Sequence, residues 1–177
     1  MKKIMCKIWG FLACPVAVFT LIVGVSIAAL AAALLSEVLL GLEPCSLCIH
    51  QRWGFVAAIV FALIGLFLRK RPKGAALMAG LSGLSFLATS AIATYHTGVE
   101  QKWWVSAVEG CSVPTGFSTQ DPNWIENLMA TPSARCDEIP WQDPLLGLSM
   151  ANYNIILCFG MFVICMVGMV RIYRKTF

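Results

Sequence analysis

Residues 11–36 read FLACPVAVFTLIVGVSIAALAAALLS, an unbroken stretch without Asp, Glu, Lys or Arg. About 20 apolar residues suffice for an α-helix to cross the hydrocarbon core of a bilayer, so this stretch predicts a membrane span. Three more low-charge runs follow, and they place further spans at about 49–68, 74–95 and 148–170. The second reaches full length only if Ile49, His50, Gln51 and Arg52 form its first turn at the membrane interface, where an arginine side chain can snorkel. Of the 177 residues, 59% are hydrophobic and only 12% charged, which excludes an ordinary water-soluble globular domain. The fold class predicted is an all-α membrane protein. It is one integral membrane domain over residues 1–177, a four-helix bundle with outer loops at about 37–48 and 96–147.

Charge orients the bundle. Lys2, Lys3 and Lys7 precede the first span, Arg69, Lys70, Arg71 and Lys73 join the second to the third, and Arg171, Arg174 and Lys175 follow the fourth. Those are ten of the 13 basic residues, and only Arg52, Lys102 and Arg135 fall on the other side. The positive-inside rule makes the crowded side cytoplasmic and puts both termini there. The nine acidic residues, from Glu37 to Asp143, lie at or beyond the opposite face, which agrees but carries little weight. A net charge of +4 is explained by anchoring at the lipid surface and calls for no nucleic acid. A cleaved signal peptide would also begin with Lys2 and Lys3, but the apolar run to Leu35 is long for one. The sequence Phe11-Leu12-Ala13-Cys14 resembles a lipoprotein processing site with too short an apolar region before it.

Topology sorts the eight cysteines. Cys6 falls inside, Cys14, Cys158 and Cys165 fall within spans as apolar residues, and Cys45, Cys48, Cys111 and Cys136 fall outside. Cys45 and Cys48 form a Cys-x-x-Cys pair, the second of them four residues before Arg52. Two thiols at that spacing close a small, reducible ring, and a helix start beside a cation favours the reactive thiolate. In an oxidising compartment the outer four can form two disulfides, and three pairings are open. A zinc site usually shows two closely spaced pairs, which the distance between Cys111 and Cys136 does not provide. A disulfide between those two would stabilise the loop by about 3.5 kcal/mol in the chain-entropy account.

The long outer loop holds most of the polar residues. Residues 121–129 open with Asp121 and Pro122, a cap residue and a first-turn proline, and set Trp124, Ile125, Leu128 and Met129 on one face. They predict a short amphipathic helix on the membrane surface. Trp103, Trp104 and Trp141 read as interfacial aromatics, and the Ala-rich stretch 28–33 as helix-packing material.

The segment Pro-Cys-Ser-Leu-Cys-Ile-His-Gln-Arg (residues 44–52) resembles the signature of the DsbB family, inner-membrane quinone reductases of bacteria that regenerate periplasmic disulfides. The likeness extends to four spans, a short first and a long second outer loop, two cysteines in the latter, and Tyr95-His96-Thr97 at the end of the third span. Residues 98–104, together with Arg135-Cys136-Asp137 and residues 147–150, resemble a shorter-loop branch of that family, a departure that bears on how the partner docks. The resemblance implies that Cys111 and Cys136 form a disulfide that accepts electrons from a reduced DsbA-like thioredoxin-fold protein, Cys111 forming the mixed disulfide. Cys45 and Cys48 would then take the electrons, through a transient bond between Cys45 and Cys136. Cys48 would face a membrane quinone, ubiquinone or menaquinone, and Arg52 would bind and polarise it, with His96 as a further quinone-site residue. The implied location is the bacterial inner membrane, with the active cysteines facing the periplasm.

Two other classes compete. A membrane haem carrier could use His50 and His96 as ligands, although Cys48 is followed by Ile49, so covalent attachment through Cys-x-x-Cys-His is absent. A non-catalytic scaffold would not depend on Cys45 or Cys48.

Overall fold

The computed structural model describes residues 14–108, 111 and 134–174. The amphipathic helix expected over residues 121–129, the N-terminal lysines and Cys6 lie outside the described residues. Four helices make up the bundle: α1 (Pro15–Leu40), α2 (Ser46–Phe67), α3 (Pro72–Glu100) and α4 (Met150–Arg174). All four are long and apolar enough to cross a membrane. Among the described residues an isolated antiparallel bridge between Gln142 and Ser149 is the sole β feature.

Helix starts and stops follow local chemistry. Prolines open α1 and α3, where a missing N–H costs nothing because first-turn amides lack helical acceptors. Helix α1 stops at Gly41, whose left-handed backbone (φ 64°) lets its N–H reach the Glu37 carbonyl. Helix α3 runs five residues beyond the expected end of the third span. It closes with Lys102 in the left-handed region (φ 58°), Lys102 N–H on Val99 O and Trp103 N–H on Gly98 O, the paired bonds of a Schellman motif. Its 29 residues make it about 43 Å long, more than the roughly 30 Å hydrocarbon core, so its last turn stands at the interface. Ser149 caps α4 by accepting from Asn152 N–H at 3.4 Å.

Packing is set by narrow stripes. On α2 the buried residues are Leu47, Gln51, Phe55, Ala58, Ala62 and Gly65, one helical face. Helix α3 buries far more of itself, mostly as Ala, Gly and Ser, because it lies between α2 and α4 and makes its most extensive contact with α4. Small residues let these backbones approach: Gly54 faces Thr89, Gly65 faces the Phe19 ring, Gly83 faces Cys165 and Gly168 faces Val18. Ser90 also donates to the Ile155 carbonyl, and Thr97 to Asn152 Oδ1, across the α3–α4 seam. The second half of α1, by contrast, leaves Leu34, Leu35, Val38, Leu39 and Leu40 exposed, a surface suited to lipid.

Candidate active site at the start of the second helix

Cys45 is the N-cap of α2, one turn earlier than the sequence places the helix start. Its sulfur takes the place of the usual serine or aspartate oxygen and accepts the Cys48 backbone N–H at 3.4 Å. The two sulfurs lie 3.2 Å apart, within hydrogen-bonding distance, and the Cys48 S–H is the donor once Cys45 is ionised. Both are free thiols, Cys45 buried and Cys48 partly exposed. The Cys48 S–H, helped by the His96 ring and opposed by burial, lowers the Cys45 pKa to about 4. The helix N-terminus, with a partial charge of roughly +0.5, favours the same anion. In the sequence the nearby cation, Arg52, lies four residues after Cys48, on the side of the second thiol. Cys45 holds the cap position and accepts the Cys48 backbone N–H, which favours the anion at the first cysteine.

His96 comes from the last turns of α3, and its Nε2 lies 3.6 Å from Cys45 Sγ. The other ring nitrogen, Nδ1, is 3.1 Å from Gln51 Nε2, and Gln51 Oε1 accepts from Asn154 at 2.5 Å. Glu100 lies one turn after His96, with Oε1 3.6 Å from Nε2 and its other oxygen accepting from Ser149 Oγ at 2.6 Å. Gln51, Glu100, Asn154 and Ser149 carry no signal in the sequence that marks them as site residues. Only Gln51 and Glu100 could have been flagged, by lying one helical turn from Leu47 and His96 on faces that must be buried.

Arg52 is drawn to α1, where it forms an ion pair with Glu37. Each of the two side chains is about one-quarter exposed.

Cys111 and Cys136 are joined in a disulfide, with Cα atoms 4.6 Å apart. Both are fully buried and pack in one cluster with Cys45, Leu47 and Val99, bordered by Cys48, Tyr95 and Val108. Cys136 N–H also bonds to the Cys111 carbonyl at 3.0 Å. The segment leading to Cys111 is pinned on α3: Tyr95 OH accepts the Ala107 N–H at 2.8 Å, and Trp104 stacks on the Tyr95 ring against Gly98. Beside Cys136, Arg135 grips Asp137 through two bonds of 2.9 and 2.6 Å, which hold that carboxyl below its usual range.

Cys45, Cys48 and His96 offer two sulfurs and a nitrogen within 4.8 Å of one another, three donors of the kind zinc takes. His96 Nδ1 faces the Gln51 amide and Nε2 faces Cys45, so both ring nitrogens already have partners within the protein. His50 is exposed and its Nδ1 bonds to the Ser46 carbonyl, while both His96 nitrogens are engaged within the protein. The structure does not bring the two histidines together as haem ligands.

A dithiol at a helix start, a neighbouring disulfide and four membrane-length helices together define a membrane thiol oxidoreductase. The family described as Disulfide bond formation protein DsbB matches residues 15–168. The chain is 33% identical over 157 residues to Disulfide bond formation protein B of Xanthomonas oryzae pv. oryzae, covering 86% of this chain and 81% of that one. It is 34% identical over 149 residues to the protein of the same name from Dechloromonas aromatica, covering 76% and 80%. An uncharacterized protein of Rickettsia prowazekii is 26% identical over 159 residues, covering 88% and 87%. No solved structure matches. The chain belongs to the DsbB family, and it is a multi-pass membrane protein of disulfide bond formation.

Proposed function

We propose that this protein is a thiol:quinone oxidoreductase of the bacterial inner membrane that reoxidises a DsbA-like periplasmic dithiol protein. The observation that carries the reading is the clustering of the Cys45/Cys48 pair with the buried Cys111–Cys136 disulfide at one end of the bundle. A thiolate of the partner attacks a sulfur of Cys111–Cys136, and the partner's second thiol displaces the mixed disulfide. The partner leaves oxidised, and Cys111 and Cys136 hold its two electrons and two protons. Exchange with a Cys45–Cys48 disulfide, through a bond between Cys45 and Cys136, restores the loop disulfide and leaves Cys45 and Cys48 as thiols. That is the pattern of bonded and free cysteines described above.

A quinone supplies the final oxidising power by taking two electrons and two protons, which closes Cys45–Cys48 again. The residues at this end suit such a molecule. Ile49, Trp53 and Val56 are exposed apolar side chains within two turns or so of Cys48, and Arg52 offers N–H donors for a carbonyl oxygen. In this reading Cys45 is the exchanging thiolate, Cys48 faces the quinone, Arg52 binds it, and His96 supports the Cys45 sulfur. The single domain has both termini in the cytoplasm, by the distribution of basic residues.

The test is oxidation of a reduced thioredoxin-like protein by the purified chain while quinone absorbance is followed. One quinone reduced per partner disulfide formed is the expected result, and partner oxidation without quinone loss would overturn it. Orientation is checked by labelling intact cells, after reduction, with a membrane-impermeant thiol reagent. Cys111 should label and Cys6 should not.

A further inference from the structure

Five side chains cross the motif end of the bundle in a row, and their hydrogen bonds have a direction. On α4, the Cys158 S–H donates to Asn154 Oδ1 at 3.2 Å, and Asn154 Nδ2 donates to Gln51 Oε1 on α2 at 2.5 Å. Gln51 Nε2 then faces His96 Nδ1 on α3 at 3.1 Å, and His96 Nε2 faces Cys45 Sγ at 3.6 Å. An amide NH₂ can only donate and its oxygen can only accept. Once Asn154 claims the oxygen of Gln51, the NH₂ is left for the imidazole, so Nδ1 must present a lone pair. The neutral ring therefore carries its hydrogen on Nε2.

Nε2 has two neighbours at the same distance, Cys45 Sγ and Glu100 Oε1, each at 3.6 Å. For N–H···O this is too long for a hydrogen bond. For the larger sulfur atom it is an ordinary bonded distance, so the hydrogen belongs to Cys45. The opposite direction would need Cys45 to donate as a neutral thiol and the Cys158 sulfur to accept from Asn154, and sulfur is a weak acceptor. We infer that Gln51 and Asn154 are positioning residues, which with Cys158 form a one-way hydrogen-bond chain holding His96 in the Nε2–H tautomer aimed at Cys45.

The inference rests on the reading that Cys45 works as a thiolate. The groups facing its sulfur are the Cys48 thiol and backbone N–H from α2 and His96 from α3, with Glu100 behind the ring. The Arg52–Glu37 pair holds the nearest charges joining α2 to α1. A buried thiol that takes no part in exchange, Cys158, becomes the donor that sets the direction.

Nitrogen-15 NMR of histidine-labelled protein in micelles, with the Cys45/Cys48 pair reduced, reads the tautomer directly. There are two histidines, and a His50→Asn variant assigns the signals. The wild type should show a protonated Nε2 and an unprotonated Nδ1. Gln51→Met removes the donor facing Nδ1, so the two nitrogen signals should move toward each other as the tautomers mix. The alkylation midpoint of Cys45 should then rise by about one pH unit. Asn154→Leu should act in the same direction. Cys158→Ser should keep the wild-type tautomer, because a hydroxyl donates in the same direction, whereas Cys158→Ala should loosen it. A wild-type ring protonated on Nδ1, or a folded Gln51→Met with unchanged His96 signals, would overturn the chain. If the variants do not fold, the wild-type spectrum alone decides. Absence of partner oxidation with the Nε2–H tautomer intact would count against the proposed function and leave this inference standing.

Discussion

Cys45 and Cys165 are both buried thiols in the same helical bundle, and almost everything else about them differs. Cys165 lies at 0% exposure in the apolar core, against Gly83 of α3. Cys45, at 5%, sits on a helix N-terminus with a thiol, an amide N–H and an imidazole all turned toward its sulfur. Burial alone disfavours a thiolate, since it strips the anion of water. The motif end offsets that cost with donors aimed at the sulfur, whereas Cys165 lies in the apolar core cluster. In the proposed reading, the reactivity of Cys45 comes from the polar lining of one end of the bundle. The rest of the bundle holds that end in register through close helix contacts.

The comparison is broken most directly by exchanging serine for each thiol. Cys45→Ser should lower partner oxidation by about 10³-fold or more, as loss of a reacting group does. Cys165→Ser should stay within about twofold of wild type in folded protein. An active Cys45→Ser, or an inactive but folded Cys165→Ser, would erase the distinction drawn here.

Arg52 tests how far the motif end extends. If it contacts the quinone, Arg52→Met should slow the quinone half-reaction by about a hundredfold, the scale of losing a donor to developing negative charge. Stopped-flow exchange between the partner and Cys111 should be nearly unchanged. Glu37→Gln sharpens the point: release of Arg52 from its ion pair should alter quinone affinity without touching thiol exchange. A loss of stability alone, with both half-reactions intact, would leave Arg52 an anchor between α1 and α2.

The pH dependence separates the two thiols without a mutation. With a Cys45 pKa of about 4, set first by the Cys48 S–H and then by His96 against the cost of burial, the thiolate is already present at neutral pH. Alkylation of reduced Cys45, followed by peptide mass spectrometry, should hold nearly level from about pH 9 down to about pH 5 and fall only below that. An ordinary thiol, with a pKa of about 8.5, would lose about tenfold in rate for each pH unit below it. A tenfold fall between pH 8 and pH 7, on the order of ordinary thiol behaviour, would show that the donors do not act on Cys45.

The smallest expected effects concern packing and the surface. Gly168→Leu places a side chain where Val18 of α1 already lies, and it should destabilise the bundle by about 1–3 kcal/mol without moving the Cys45 alkylation profile. Arg135→Ala removes the clasp on Asp137 and Glu138 beside the loop disulfide, and should cost less than about 1 kcal/mol in thermal unfolding. A large effect from Arg135 would mean that the clasp controls the loop rather than decorating it.

Much of this molecule is legible from the chain alone, for a plain physical reason. Span number and the Cys-x-x-Cys pair depend on local composition and spacing, and local rules read them. Residues 11–36 are too apolar to be anything but buried in lipid or protein, and four such runs leave little freedom of architecture. The residue facing each sulfur is another matter. His96 stands 51 positions from Cys45 and Asn154 103 positions from Gln51, and they meet only because α3 packs between α2 and α4. Likewise, Glu37 takes Arg52 because α1 lies beside α2, and Ser149 reaches Glu100 because it caps a helix that starts against the end of α3. Even the seat favoured for the thiolate turned on about one turn of helix boundary, since the cap position receives the amide bond and the cysteine three residues on does not. Hydrogen bonds act over about 3 Å, a little more for sulfur, and only the folded bundle brings donors from both α2 and α3 to one sulfur.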